Sequence, residues 1–448
     1  MPKMIEICTV GGYNEVGKNC TAINIDGEVI LMDLGLHLEE YIKFTEERDD
    51  LRFISASQLI MAGAVPDIRN IEDWRKNVKA IVSTHAHLDH IGAVPFLSNK
   101  FKADILCTPY SGAVLEAILK DERINLKNKI KILNINSIFT VSKNIKIEFI
   151  NMTHSTPQTV MAAIHTKYGV IIYGNDFKFD SSPTLGKKPN FERLKQLGDE
   201  GVLALIVDSI YSGYNIKTPS EGVAKELLRD VMLGTDSHGK CMIVTTFSSH
   251  LARLKSIIEF GKQMKRKIVF LGRSLGKYID AGEKIGLINF SKDVELVKYG
   301  KQIKHRLKEI SRKDKENYLL VVTGHQAEPR AVLSRIIDGQ FDFEFEQGDI
   351  VIFSCSVIPT ESNIQNRKIM DEKLKRKGVR IFTNIHVSGH AAREDDRDLI
   401  NMTRPKHIIP AHAEDKKKAA LIELANELGY KKGKTSHLMR NGDRLKLA

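Results

Sequence analysis

The stretch STHAHLDHIGAVPFL, Ser83 to Leu97, sets three histidines and an aspartate within six residues, directly after the apolar run AIVS and before a helix-like apolar run. His85 and His87 are two apart in an extended segment just past a strand end, while Asp89 and His90 follow at the mouth of a helix, where side chains fan outward. That spacing lets His85 and His87 face one point and Asp89 and His90 another. A lone buried histidine is usually a satisfied core residue, but three with a carboxylate at these offsets do not fit that description. Imidazole and carboxylate oxygen are ligands for zinc and other borderline divalent metals. The chain must therefore fold so that this strand end lies at a metal site.

Other strand ends should then converge on the same edge with further ligands. IKIEFINMTHS ends with His154, GVIIYGNDF carries Asp176 and HIIPAHAE carries His412, while Asp33 closes VILMD and Asp208 closes VLALIVD. An aspartate past a strand is also a common turn former, so Asp33 and Asp208 each stay open between ligand and turn. His85, His87, Asp89, His90, His154, Asp176 and His412 exceed what one four- or five-coordinate ion needs, and two metals sharing one carboxylate fit the count.

Around these runs the chain changes rhythm. The first 80 residues read as short strands and turns, and EEYIKFTEERDDLRF (39–53) reads as polar and helix-rich. From about Ser209, apolar runs such as CMIVTTF, KIVFLG, YLLVVTG and DIVIFS alternate with helical patterns, which predicts a parallel α/β sheet. VRIFTNIHVSGH and HIIPAH return to strands, and DKKKAALIELANELGY reads as a final amphipathic helix. With no linker at either change, one domain is expected inside another.

At 448 residues the chain has material for two or three such units. It has no run of about 18 apolar residues and no signal-peptide pattern at its start. Five scattered cysteines, none in a CxxC, predict a reduced, cytoplasmic protein without disulfides. The net charge is +12, and residues 209–383 hold 31 Lys+Arg against 21 Asp+Glu, a net of +10. The rest of the chain holds 37 against 35, a net of +2. MKRK (264–267), KHRLKEISRKDK (304–315) and KLKRKG (373–378) carry much of that excess, which favours a polyanionic partner such as nucleic acid. Two strand–helix turns in the same segment are candidate phosphate sites: FLGRSLGKY, with Arg273 and Ser274, and VTGHQAEP, with Pro329 and Arg330 opening the next helix.

The ordered set HxHxDH, His154, Asp176 and His412 resembles the metallo-β-lactamase fold, and the insert between Asp208 and HVSGHA resembles the β-CASP subgroup of nucleic-acid nucleases. YGNDFKFD, VTGHQAEPRAVLSRI and HVSGHAAREDDRDLINMTRPKHIIPAHAE are most similar to ribonuclease J across essentially the whole chain. The family commonly has TGSQGEP and HGE where this chain has TGHQAEP and HAE, which puts substrate contacts near His325 in question but not the ligands. Ending at Ala448, the chain looks most like the shorter archaeal type.

The resemblance implies an αββα sandwich split by a parallel α/β β-CASP domain, with residues 1–208 and 384–448 forming the metallo-β-lactamase part and 209–383 the insert. It implies two zincs per chain, one held by His85, His87 and His154 and the other by Asp89, His90 and His412, with Asp176 bridging. Asp33 would orient the ligand loop by hydrogen bonding, Asp208 and His390 would form an acid–histidine pair near the leaving group, and His386, Val387, Ser388, Gly389 and His390 would bind phosphate. The expected activity is hydrolysis of single-stranded RNA, 5′-to-3′ from 5′-monophosphate ends, with endonuclease action and a homodimer left open. A β-CASP DNA nuclease, an RNA 3′-end-processing endonuclease, a small-molecule hydrolase and a non-catalytic RNA scaffold are the competing readings. The basic insert argues against the small-molecule enzyme, and the complete ligand set argues against the scaffold.

Overall fold

A computed structural model describes residues 4–46, 54–312, 315–358 and 361–447. Its chain forms two compact units: Met1–Ser181 with Gly186–Thr218 and Gly389–Ala448, and Ser182–Leu185 with Pro219–Ser388. Among the described residues no helix is long and apolar enough to cross a membrane.

The first unit holds two sheets face to face. One runs Arg444–Leu447, Ile5–Gly11, Cys20–Ile25, Glu28–Met32, Val78–Ser83, Asp104–Cys107 and Ile130–Ile132, antiparallel as far as Glu28–Met32 and parallel beyond it. The other runs His407–Ala411, Val202–Asp208, Gly169–Gly174, Val160–Thr166, Lys146–Asn151 and Ile138–Thr140. Ile7, Ile23, Ile30 and Val82 of the first sheet share a core with Phe149, Ala162, Ile171 and Ile206 of the second. Helices Phe191–Glu200, Arg393–Thr403 and Asp415–Glu427 cover the second sheet's other face through Leu194, Leu197, Leu399, Ile400, Leu421 and Leu424. Both faces of the sheet's central strands are therefore dry, and Val202–Asp208 is buried at every residue. This is the αββα sandwich. Residues 47–53 of the expected helix-rich stretch lie outside the described residues, and the helix before them is Leu38–Glu46.

The second unit is one sheet of six parallel strands in the order Glu295–Val297, Lys267–Leu271, Tyr318–Val322, Met242–Thr245, Ile350–Phe353 and Arg380–Phe382. Such an order needs a crossover between successive strands, which explains the alternating rhythm of the sequence. The turn after Tyr318–Val322 departs from expectation: Pro329 and Arg330 stay in the turn, and the helix is only Val332–Ile337, with Ala331 as its cap.

A buried network ties this unit together. The guanidinium of Arg253, fully buried, donates to both oxygens of Glu221 (2.6 and 2.8 Å) and to the carbonyls of Ser354 (2.9 Å) and Ile385 (3.2 Å). Ser354 Oγ also donates to Ile385 O at 2.8 Å, so one carbonyl just before His386 is held twice.

Candidate metal centre

Glu28–Met32 runs parallel to Val78–Ser83 in one sheet, and Lys146–Asn151, Gly169–Gly174 and His407–Ala411 share one direction in the other, which brings their ends to one edge. Asp33 follows Glu28–Met32, His85 follows Val78–Ser83, His154 follows Lys146–Asn151, Asp176 follows Gly169–Gly174, and His412 follows His407–Ala411. Asp33, Asp176 and His412 all adopt positive φ (60°, 41° and 58°), the strained left-handed conformation that a non-glycine residue holds only when its surroundings fix it. Gly35 is required by close approach, since a Cβ there would lie 1.6 Å from the carbonyl oxygen of Asp89.

Two groups of ligand atoms result, each within 4.8 Å: His85, His87, His154 and Asp176, and Asp89, His90, Asp176 and His412. Asp176 Oδ2 lies 3.5 Å from both His85 Nε2 and His154 Nε2 and 3.3 Å from His90 Nε2, while its Oδ1 lies 3.5 Å from His412 Nε2. Asp89 Oδ2 is 3.6 Å from Nε2 of both His90 and His412. His87 turns its Nδ1 inward, 3.2 Å from His85 Nε2 and 3.1 Å from His154 Nε2.

The opposite ring nitrogens are held from behind. His90 Nδ1 donates to Asp33 (2.8 Å), His154 Nδ1 to the Gly389 carbonyl (2.6 Å) and His412 Nδ1 to Asn19 Oδ1 (2.8 Å), so each of these rings turns its Nε2 toward Asp176. Asp33 is in turn fixed by the backbone N–H and hydroxyl of Thr84.

Electrostatics favour a cation between these atoms. Burial pulls His85 and His154 well below the ordinary imidazole range and His87 down to about 4, so these imidazoles are uncharged at neutral pH. Burial also pulls on His90, but Asp176, Asp89 and Asp33 outweigh it and raise that imidazole well above its usual value. Burial likewise favours neutral Asp176, yet His412, His90 and His390 hold its carboxyl well below the usual range. Asp176 Oδ1 is buried and makes no hydrogen bond. Separations of 3.1–3.6 Å match the roughly 3.4 Å edge of a tetrahedron with bonds of about 2.1 Å. The residues present fit divalent metal.

Beside them His390 Nδ1 donates to Asp208 Oδ2 at 2.6 Å and lies 4.0 Å from Asp176 Oδ2. Burial opposes its protonation, but Asp208 and then Asp176 push His390 up to about 9.

Comparison with known proteins bears on this centre. The metallo-β-lactamase superfamily model matches residues 13–203, the ribonuclease J β-CASP domain matches 239–372, and the Zn-dependent metallo-hydrolase RNA specificity domain matches 376–435. Ribonuclease J of Methanocaldococcus jannaschii is 42% identical over 439 residues, covering 98% of each chain. The chain belongs to the ribonuclease J family. Ribonuclease J of Pyrococcus abyssi is also 42% identical, over 98% of this chain and 96% of that one. Ribonuclease J 1 of Streptococcus pyogenes is 32% identical over all of this chain and 75% of its own length. A crystal structure of a protein of unknown function from Enterococcus faecalis V583 shares the fold, with a TM-score of 0.66 at 17% identity over 99% of this chain and 100% of that one.

Against the ligand set implied by the ribonuclease J resemblance, the structure also brings in residues that the sequence did not single out. Asn19 Oδ1 accepts from His412, and its Nδ2 donates to the Asp89 carbonyl and lies 3.0 Å from His90 Nε2, so one amide orients two candidate ligands. The signal was one of two polar residues, Lys18 and Asn19, between Gly17 and a dry strand start, too common to stand out. Ser155 Oγ sits 3.4 Å from both His87 and His154.

The remaining predicted residues divide between the units. Gly389 and His390 belong to the first, where a Cβ on Gly389 would come within 3.0 Å of both His154 Nδ1 and the Ser155 backbone. His386, Val387 and Ser388 belong to the second, with Val387 buried. Arg273 and Ser274 open helix Arg273–Lys284 there, and Ser274 Oγ is hydrogen-bonded to Ser248 Oγ at 3.0 Å.

The basic runs are less free than their charge suggested. Arg266 folds inward onto the carbonyls of Lys240, Tyr318 and Ser237. Arg306, Lys308 and Lys373 pair with Glu295, Asp342 and Asp338. Lys265, Lys267, Lys375, Arg376 and Lys377 stay exposed.

Proposed function

We propose that this chain is a two-zinc ribonuclease that hydrolyses single-stranded RNA, chiefly 5′-to-3′ from 5′-monophosphate ends with endonucleolytic cuts as a second mode, in the cytoplasm. The observation that carries the reading is two histidine–carboxylate groups sharing Asp176, with a carboxylate-held histidine alongside. In this assignment residues 1–208 and 384–448 are the hydrolase part and 209–383 the RNA-gripping insert.

His85, His87 and His154 would hold one zinc and Asp89, His90 and His412 the other, with Asp176 offered to both. Bound zinc supplies Lewis acidity and positive charge next to the phosphate. Asp33, Asn19 and the Gly389 carbonyl keep the ligand rings turned inward. Asp208 holds the Nδ1 proton of His390, which leaves Nε2 to give its proton to the departing ribose oxygen. Ser388 and the Gly389 backbone donate to the terminal phosphate, and exposed lysines of the insert contribute salt-dependent grip.

The test is digestion of end-labelled RNA and matched DNA carrying 5′-monophosphate, triphosphate or hydroxyl, beside an Asp176→Ala control. The expected result is mononucleotide release from 5′-monophosphate RNA, abolished by chelator and absent in the control. Equal rates on DNA, or undiminished cleavage in chelator, would overturn the proposal.

A further inference from the structure

Residues 209–218 leave the end of strand Val202–Asp208 and run as a strap along the start of helix Arg393–Thr403. The strap is fastened at many points. Ser209 Oγ donates to the Ala411 carbonyl (2.8 Å), Tyr211 bridges to Ala392, and Ser212 Oγ donates to buried Asp396 (2.6 Å). The carbonyls of Tyr214 and Ile216 accept from Arg393 N and Glu394 N, both at 3.2 Å. Thr218 N donates to buried Asp395 and Thr218 Oγ1 to the His390 carbonyl, each at 2.8 Å.

A backbone fastened this well nevertheless turns apolar side chains to solvent. Tyr214 is 59% exposed and Ile216 is 54% exposed. Tyr214 meets Tyr211 edge-on with ring centroids 5.5 Å apart, and the Tyr211 ring lies 6.0 Å from that of His390. Three rings thus form a row from the predicted proton donor out to water. Neither sheet nor helix packing accounts for the outermost ring. A fixed aromatic surface beside a phosphodiester-cleaving centre suits one class of partner well: a planar, apolar-faced group attached to a phosphate chain. Unstacked nucleobases have that form, and aromatic side chains bind them with little regard to sequence.

We propose that Tyr211 and Tyr214 are a stacking platform for a base of the RNA strand flanking the scissile phosphate, an inference that rests on the ribonuclease reading above. Tyr214 presents the open face, and Tyr211 supports it and sets its distance from His390. The strap's fastenings keep the platform ordered before RNA arrives, so little entropy is lost in using it.

The experiment measures kcat and KM for Tyr214→Ala, Tyr214→Leu and Tyr214→Phe on 5′-monophosphate oligoribonucleotides, intact or with one abasic nucleotide placed at successive positions around the cleaved bond. Because Tyr214 is mostly exposed, thermal unfolding of each variant should match the parent. Tyr214→Ala and Tyr214→Leu should raise KM about 5- to 150-fold, the range one base–aromatic stack carries, with kcat little changed. Tyr214→Phe, which keeps the ring, should restore KM. At one abasic position the parent should show the same rise, and Tyr214→Ala should lose nothing further there. An active parent whose Tyr214→Ala variant keeps its KM, as a patch meant for a protein partner would, overturns the platform alone. So does a loss that is the same at every abasic position. A parent that cannot cleave RNA at all overturns the underlying ribonuclease reading instead.

Discussion

The metal centre of the first unit and the Arg253 network of the second are both buried, polar and assembled from several elements, yet they balance in opposite ways. In the Arg253 network each charge has its opposite: guanidinium on carboxylate, with spare N–H groups on carbonyls. In the metal centre, ring nitrogens of His85, His87 and His154 face one another at 3.1–3.2 Å and a carboxylate oxygen is buried without a hydrogen bond. One network is complete as the chain folds. The other gathers ligand atoms around one carboxylate, an arrangement that suits a cation. Burying polar groups costs free energy unless they are partnered, so the open network marks function and the closed one marks architecture.

The comparison is sharpest at Asp176. With zinc bound, Asp176→Ala should slow single-turnover RNA hydrolysis by about three orders of magnitude or more, the rate equivalent of several kcal/mol of lost charge stabilisation. Without metal the same variant should unfold within roughly 1 kcal/mol of the parent, a typical cost for a single substitution. Calorimetry and rapid-quench assays on one preparation check both. A variant that unfolds outright would show that this centre, too, is architectural.

Arg253→Met is the mirror experiment. It strands Glu221 in the interior and should cost about 3–5 kcal/mol in denaturant titration, whereas Arg253→Met with Glu221→Leu should recover most of that loss. Zinc content should stay unchanged in both. The pH dependence has a definite sign. Burial pulls Glu221 upward, but His250 and Arg253 hold it well below the usual carboxylate range. Its contribution is therefore complete above the unfolded value of about 4.3 and is lost progressively as pH falls below that. The parent should lose stability faster than the double variant on acidification from pH 4.3 downward. Parallel curves would remove Glu221 from the account.

The smallest of these effects belongs to Asn19. Asn19→Ala should lower zinc affinity about 10- to 100-fold while leaving the fold intact, because it frees the back of His412 and the Asp89 carbonyl without removing a ligand. Competition with a chromogenic chelator reads that number, and an unchanged affinity would assign the orientation to Asp33 alone.

The sequence made the open network visible and concealed the closed one, for a physical reason. Histidine and aspartate at strand ends are chemically conspicuous, so His85, His87, Asp89, His90, His154, Asp176 and His412 stood out, and the structure gathers all seven. Arg253 looks like any cation in an amphipathic helix, and only the fold reveals that it is fully buried. Arg266 misled in the same way, since a run of basic residues does not say which member turns inward. The alternation of strands and helices was legible because buried parallel strands need continuous apolar runs. The start of the short helix Val332–Ile337 was not, because apolar spacing continues through a turn as readily as through a helix.

Strand Ile5–Gly11 pairs with Arg444–Leu447, and His412 arrives on His407–Ala411, after the second unit has been threaded. Strand Ile5–Gly11 thus waits for one made only after the whole second unit. Six of the seven gathered side chains are synthesised early, and the seventh follows only once Pro219–Ser388 has emerged. Arrested nascent chains short of His412 would accordingly show no metal-dependent cleavage. A nuclease laid out in this order would stay disarmed while its second unit is being made, and the segment that follows that unit would arm it.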